Sequence, residues 1–232
     1  MSKFAVLVLA AGRSTRFGGE ERKPFVSLGG RAVWKHSVEM FAHRPDVCQT
    51  LLVVSPDDVE AFRSDSDANL EHLGVDLCEG GKERADSVRA GLAALSEEAT
   101  HVAIHDAARP LVTTEEIDAV FAAAIESHAA ILAAPVTSTL KRVADGVITD
   151  TVSRANLWAA QTPQVFEVTR FREAIAAAGD AAVTDDAQLF ERLGKPVTVV
   201  EAPSQNLKIT TQDDLTMAAA ILATRQQSNA DR

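Results

Sequence analysis

The chain has 232 residues and a mass of 24.7 kDa, which suits a single domain spanning 1–232. Its 23 Lys and Arg against 33 Asp and Glu leave a net charge of −10 and a pI near 5.1, which excludes a broadly basic nucleic-acid surface but allows a local basic pocket. Two cysteines, Cys48 and Cys78, stand far apart with no CxxC pair, which argues against a disulfide framework or a cysteine zinc site and fits a reducing compartment.

The first apolar run, 4–11, is too short to span a bilayer. It resembles the apolar part of a signal peptide, but one lysine precedes it, and Gly12-Arg13-Ser14-Thr15-Arg16 stands where a cleavage site is expected. It therefore reads as a buried strand over 4–10, and with no longer apolar run the chain is expected to be soluble and cytoplasmic, without a membrane partner. Further strands are expected at 50–55, 75–79, 101–105, 130–134 and 197–201. Helical patterns fall at 33–43, 57–64, 84–95, 115–127, 169–178, 185–193 and 213–225, with a frayed polar tail after Arg225. The strands are continuously apolar, so both faces are buried, and the alternation of strand and helix predicts an α/β fold, a doubly wound and mostly parallel sheet. One stretch breaks the rhythm: 139–143 and 147–152 flank Ala144-Asp145-Gly146 and predict a β-hairpin with Asp-Gly in its turn. Within 137–155 it is an added antiparallel edge or, the reading preferred here, a projecting dimerisation arm.

The segment Leu9-Ala10-Ala11-Gly12-Arg13-Ser14-Thr15-Arg16-Phe17-Gly18-Gly19 follows the first strand. Small residues let the backbone approach a ligand and aim N–H groups at a phosphate, and Arg16 adds a fixed forked cation. Neither a Rossmann GxGxxG nor a Gly-Lys-Ser/Thr P-loop is present. A plain strand-to-helix turn with a surface arginine remains the alternative. Lys23, held out of the helical region by Pro24, supplies a second cation that can close over phosphates. Gly80-Gly81 with Arg84 and Ser87 reads as either a ligand-binding turn or a simple helix start whose Glu83 and Asp86 complement the dipole. His101 and His105 share a strand face, but no third ligand accompanies them, and core histidines are the simpler reading.

These residues carry a resemblance. A strand ending in Ala10-Ala11-Gly12, an arginine four residues past the glycine and a lysine soon after resemble the sugar-nucleotide type of nucleotidylyltransferase. Gly80-Gly81-Lys82-Glu83-Arg84-Ala85-Asp86-Ser87-Val88, His105-Asp106-Ala107-Ala108-Arg109-Pro110 and Gln161-Thr162-Pro163-Gln164 narrow it to the 2-C-methyl-D-erythritol 4-phosphate cytidylyltransferase family of the non-mevalonate isoprenoid pathway. The likeness runs from Val6 to about Leu222. Leu9 stands where that family often has proline, Ser14 where glycine is usual, and Arg22-Lys23-Pro24 where Pro-Lys-Gln is common.

The resemblance implies a Rossmann-like nucleotidyltransferase fold, CTP and 2-C-methyl-D-erythritol 4-phosphate as substrates, Mg²⁺ or another divalent cation as cofactor, and a homodimer joined through the arm. It implies Arg16 and Lys23 as catalytic residues. CTP falls to Leu9, Ala10, Ala11, Gly12, Gly80, Gly81, Arg84, Ser87, Asp106, Ala107 and Lys208, with Ser87 hydrogen-bonded to the base. The acceptor falls to Arg109, free on its loop to reach a second phosphate, and to Thr139, Arg154, Thr184, Asp185 and Lys208. No dedicated metal cage is expected, and Asp106 would meet the cation through water. Two rivals are a cytidylyltransferase for another polyol phosphate such as ribitol 5-phosphate, and a non-catalytic nucleotide-binding regulator, which would be expected to lack one of the cations Arg16, Lys23 and Lys208. A nicotinamide dehydrogenase is least favoured, since its glycine fingerprint is missing.

Overall fold

The structure, a computed structural model, describes residues 2–12, 26–64, 70–179 and 183–230. In chain order the strands and helices begin with β1 (Phe4–Leu9), β2 (Ser27–Leu28), β3 (Arg31–Ala32), α1 (Val33–Ala42), β4 (Val47–Val54), α2 (Val59–Ser64) and α3 (Leu70–Leu73). The middle of the chain holds β5 (Val75–Glu79), α4 (Arg84–Ala93), β6 (His101–Asp106), α5 (Thr114–Ser127) and β7 (Ala129–Pro135). Then come β8 (Leu140–Ala144), β9 (Val147–Val152), β10 (Trp158–Glu167), α6 (Val168–Ala178), α7 (Ala187–Arg192), β11 (Thr198–Glu201) and α8 (Gln212–Ala230).

Seven strands form one sheet in the order β11-β7-β10-β6-β1-β4-β5. All run parallel except β10, which is antiparallel to both β6 and β7. The α/β, mostly parallel architecture is the one expected. β1 shows why its apolar run is unbroken: Phe4, Val6 and Val8 pack with Trp34, Val38 and Phe41 of α1 and Ile117 and Phe121 of α5. Leu7 faces the other layer, with Val88 and Leu92 of α4 and Phe171 and Phe190 of α6 and α7. A strand covered on both faces has no side left for polar residues.

The chain leaves β1 towards β4 on one side, and α4 later returns it to β6 on the other. The loops at the carboxyl ends of β1 and β6 stand side by side at the edge of the sheet where open α/β folds bind ligands in a crevice. Leu9 stands level with Asp106 in the β1–β6 register, so the Ala10–Gly12 loop and the end of β6 share the mouth of that crevice.

Five elements depart from the sequence reading. β10 was not expected, because Pro163 and the two glutamines around it break a strand pattern. Its pairing with β7 lapses between Ala160 and Gln164, so Pro163 sits where no ladder hydrogen bond is required. The reversed direction follows from the connection, since no crossover helix lies between β7 and β10. α8 runs on to Ala230 instead of fraying after Arg225. The short pair β2–β3 and the single turn α3 are also additional.

The β8–β9 hairpin forms a separate two-stranded sheet inserted between β7 and β10. Asp145 at φ 50° and Gly146 at φ 79° both lie in the left-handed region, as a two-residue turn between twisted strands requires. Nearly every residue of the hairpin is exposed, including Val143, Val147 and Ile148.

Phe166 ties β10 to the helical layer beneath it. It is fully buried and stacks on Phe171 at 4.8 Å and Phe190 at 4.9 Å between ring centroids. Phe166→Ala is expected to lower unfolding free energy by about 3–5 kcal/mol, measured by urea denaturation.

Candidate active site

Three loops meet at the carboxyl edge of the sheet. Ala10–Gly12 extends β1, and the Ala10 N–H donates to the Val53 carbonyl at 2.7 Å. Gly80-Gly81 leaves β5 and enters α4. A Cβ on Gly81 would fall 2.2 Å from that of Asp86, so only glycine lets this loop fold onto the first turn of the helix. There the side chains of Glu83 and Asp86 cap each other's backbone N–H groups, and the Ser87 hydroxyl accepts from the Gly81 N–H at 3.2 Å and donates to the Glu83 carbonyl at 3.2 Å. Ser87 is buried and holds the loop in shape.

Asp106 closes β6 and is the electrostatic centre of the group. Lys208 Nζ lies 2.8 Å from Oδ2, Arg109 Nε 3.8 Å from Oδ2, and Arg84 Nε 3.9 Å from Oδ1. Burial alone would raise the carboxyl pKa, but Lys208, Arg84 and Arg109 outweigh it and hold Asp106 below the ordinary value. Arg84 sits between two carboxylates: its terminal nitrogens donate to Asp186 at 2.9 and 2.6 Å in a bidentate pair. Burial opposes its charge, yet Asp186 and Asp106 prevail and raise its pKa above the ordinary arginine value.

Arg109 is not free on its loop. It is largely buried, donates to the carbonyls of Asn206 at 2.7 Å and Ala160 at 3.3 Å, and has its pKa lowered by that burial. Asp185 accepts from Gln164 Nε2 at 3.0 Å, and the Thr184 N–H donates to Gln188 at 3.3 Å, so both stand at the entrance to α7 beside the Arg84–Asp186 pair. Thr139 and Arg154 lie apart, exposed at the base of the hairpin, where Arg154 donates to the Thr137 carbonyl. No hydrogen bond or ion pair among the described residues joins either of them to the Asp106 group. Ala107 is buried and donates its N–H to the Leu9 carbonyl at 3.0 Å, joining the first and third loops. Arg16 and Lys23 lie outside the described residues.

Three supporting residues carried no role in the sequence reading, and a fourth, His105, was read there as a core histidine. His105 is fully buried beneath Asp106; the Asp106 N–H donates to Thr162 Oγ1 at 3.0 Å, and Thr162 Oγ1 is 3.1 Å from His105 Nδ1. With that hydroxyl donating to Nδ1, the ring is neutral and its Nε2–H donates to the Arg109 carbonyl at 3.1 Å. Asn206, also fully buried, donates to Gln161 Oε1 at 3.1 Å and to the Thr162 carbonyl at 3.0 Å, fixing the loop that carries Lys208. Gln164 and Asp186 complete the set. The resemblance marked Gln161-Thr162-Pro163-Gln164 without saying what it does, and Asp186 and Asn206 lie outside every motif it rests on.

Burial depresses the His105 pKa to about 4, against the ordinary 6.5. In the window between those values the unfolded chain binds the extra proton, so the neutral ring contributes stability above pH 6.5 and loses it as pH falls towards 4. The stability advantage of the wild type over His105→Gln should therefore narrow as pH is lowered through this window, by up to about 1.4 kcal/mol per pH unit. Urea denaturation of both proteins from pH 7.5 to 4 measures it.

Comparison with known proteins gives the family. The family model for 2-C-methyl-D-erythritol 4-phosphate cytidylyltransferase matches residues 4–224. A protein of that name from Rhodopirellula baltica is 44% identical, over 94% of each chain. Another from a Synechococcus strain is 44% identical, over 95% of this chain and 99% of its own. Among solved structures, 4-diphosphocytidyl-2C-methyl-D-erythritol synthase from Anaerococcus prevotii superposes with a TM-score of 0.82 at 29% identity, over 96% of each chain. 2-C-methyl-D-erythritol 4-phosphate cytidylyltransferase from Thermus thermophilus superposes at 0.78 with 32% identity, over 94% of this chain and 98% of its own. With a likeness that spans nearly the whole chain and a cation-ringed carboxylate at the sheet's ligand edge, this chain belongs to the 2-C-methyl-D-erythritol 4-phosphate cytidylyltransferase family of nucleotidyltransferases.

Proposed function

We propose that the chain transfers a cytidylyl group from CTP to 2-C-methyl-D-erythritol 4-phosphate and releases pyrophosphate, a step in isoprenoid precursor synthesis. The observation that carries this reading is the Asp106 centre, where Lys208, Arg84 and Arg109 converge beside the Ala10–Gly12 loop on an otherwise acidic protein. A polyanion entering that crevice meets its cations there.

The nucleoside falls to the Gly80-Gly81 loop and the first turn of α4, with Arg84 and Ser87, and the triphosphate to Leu9, Ala10, Ala11, Gly12, Ala107 and Lys208. The acceptor phosphate monoester is already an anion near neutral pH, so its oxygen attacks the α-phosphorus in line without a protein base. Catalysis is then positioning together with charge stabilisation. Arg16 and Lys23 neutralise charge gathering on the α-phosphate and on the departing pyrophosphate. Thr139, Arg154, Thr184, Asp185 and Lys208 hold and align the acceptor.

Among the described residues no group of three or more potential ligands could cage a metal. Mg²⁺ bound to a triphosphate needs only one or two carboxylates and keeps several waters, and Asp106, with Lys208 already on Oδ2, suits contact through water. Such an ion would neutralise phosphate charge. No helix among the described residues is long and apolar enough to cross a membrane.

The hairpin arm supports a homodimer. Val147 at 66% and Ile148 at 60% exposure are apolar side chains that a second protomer would cover. Thr139 and Arg154 at its base would then complete the partner's acceptor site rather than their own. Sedimentation should give a dimer; a fully active monomer would discard this arrangement.

Pyrophosphate release with Mg²⁺ and CTP should require 2-C-methyl-D-erythritol 4-phosphate. Turnover with ribitol 5-phosphate instead would overturn the acceptor assignment, and none with any polyol phosphate would favour a nucleotide-binding regulator. Lys23→Ala and Arg16→Ala should each lower kcat about a hundredfold or more, on the scale of a lost oxyanion donor. Arg154→Ala should instead raise the acceptor KM, read from initial rates.

A further inference from the structure

We propose that Asp186 is a positioning residue for the nucleotide: it fixes the guanidinium of Arg84 in the orientation that receives CTP, and Gln164 in turn fixes Asp186. The inference rests on the nucleotide role of Arg84 given above and extends it to two residues outside that assignment.

Asp186 is 2% exposed, on the turn before α7 and 102 residues from its partner at the start of α4. Both its oxygens are engaged, one by each terminal nitrogen of Arg84, at 2.9 and 2.6 Å. A two-point clamp of this kind sets the plane of the guanidinium as well as its position, which a single contact or a lysine cannot do. The clamped fork leaves Nε directed at Asp106, 3.9 Å away, so the cation is held at the crevice mouth between two fixed carboxylates. A buried ion pair is weak ground for a stability role, because an apolar pair of similar size would serve as well or better. Its placement beside the nucleotide loop gives it a use that an apolar pair could not fill.

Gln164 makes the clamp rigid. It is 1% exposed on β10; its Oε1 accepts from the N–H groups of Asp186 and Ala187 at 3.0 Å each, and its Nε2 donates to Asp185 at 3.0 Å. One side chain thus fastens the whole turn to the sheet. Two residues earlier on the same strand, Thr162 accepts from the Asp106 N–H at 3.0 Å. The two carboxylates that flank Arg84 are therefore referenced to one short stretch of β10, and their separation does not depend on the loops that bear them.

The test is steady-state kinetics on Arg84→Ala, Asp186→Asn, the double variant and Arg84→Lys, varying CTP and acceptor separately. Arg84→Ala and Asp186→Asn should each raise the CTP KM about tenfold or more, with the acceptor KM within about twofold of wild type. The double variant should be no worse than Arg84→Ala, because Asp186 acts only through Arg84. Arg84→Lys should not restore CTP affinity. General destabilisation would instead reduce active enzyme and leave KM unmoved. If Arg84→Ala raises the CTP KM but Asp186→Asn does not, or if the two effects multiply, Asp186 does not position Arg84 and the proposal falls while the nucleotide role stands. If Arg84→Ala leaves the CTP KM unchanged, that role fails and takes the proposal with it. Should Asp186→Asn alone not fold, Arg84→Lys decides: wild-type CTP affinity with the charge kept and the fork removed overturns the proposal.

Discussion

A carboxylate taken out of water at the end of a strand stays ionised only if positive charge surrounds it, and Asp106 is kept in that state by Lys208, Arg84 and Arg109. The pairing runs in both directions. Asp106 gathers three cations that would otherwise repel one another, and it does so where the loops of β1, β5 and β6 converge. Lys208 and Arg84 remain partly open to solvent at 44% and 32% side-chain exposure while Asp106 stays enclosed. The anion is thus the fixed element, and the cations present their remaining donors to the crevice.

What fixes Asp106 and its neighbours is β10, the one strand of the sheet that runs against the rest. Gln161, Thr162 and Gln164 all turn inward from it, to Asn206, to Asp106 and His105, and to the turn before α7. A strand buried on both sides has no ordinary use for such polar side chains. Here each satisfies a backbone or side-chain group of a loop that would otherwise be tethered only at its ends. The neutral His105 ring belongs to the same scaffold, joining Thr162 to the Arg109 carbonyl beneath the charged layer and adding no charge of its own. A protein of net charge −10 can in this way gather cations at one crevice without a basic surface.

The hairpin follows a different logic. It is built by local chemistry, an Asp145-Gly146 turn between two short strands, and it buries little of itself. An isolated two-stranded ribbon has marginal stability of its own, so its exposed valines and isoleucine gain most where a second surface meets them.

Much of the architecture was legible in the amino-acid order. Unbroken apolar runs separated by amphipathic stretches located six strands of the parallel core and the main helices, because burial on both faces leaves a continuous apolar run and burial on one face a periodic one. Asp-Gly marked the hairpin turn, since few other pairs accept two left-handed residues. Small residues after the first strand marked a ligand loop, and the resemblance attached a chemistry to it and added Asp106. β10 was hidden, because its proline and glutamines look like a loop until the lapse in pairing at 161–163 shows where they go. The inward turn of Arg109, the Arg84–Asp186 clamp across 102 residues and the service of Asn206 to the Lys208 loop were equally invisible. Periodicity reports which face of an element is buried and turn chemistry reports where the chain reverses, and both are local. Which charged group faces which across the crevice is decided only when distant segments are packed onto one sheet.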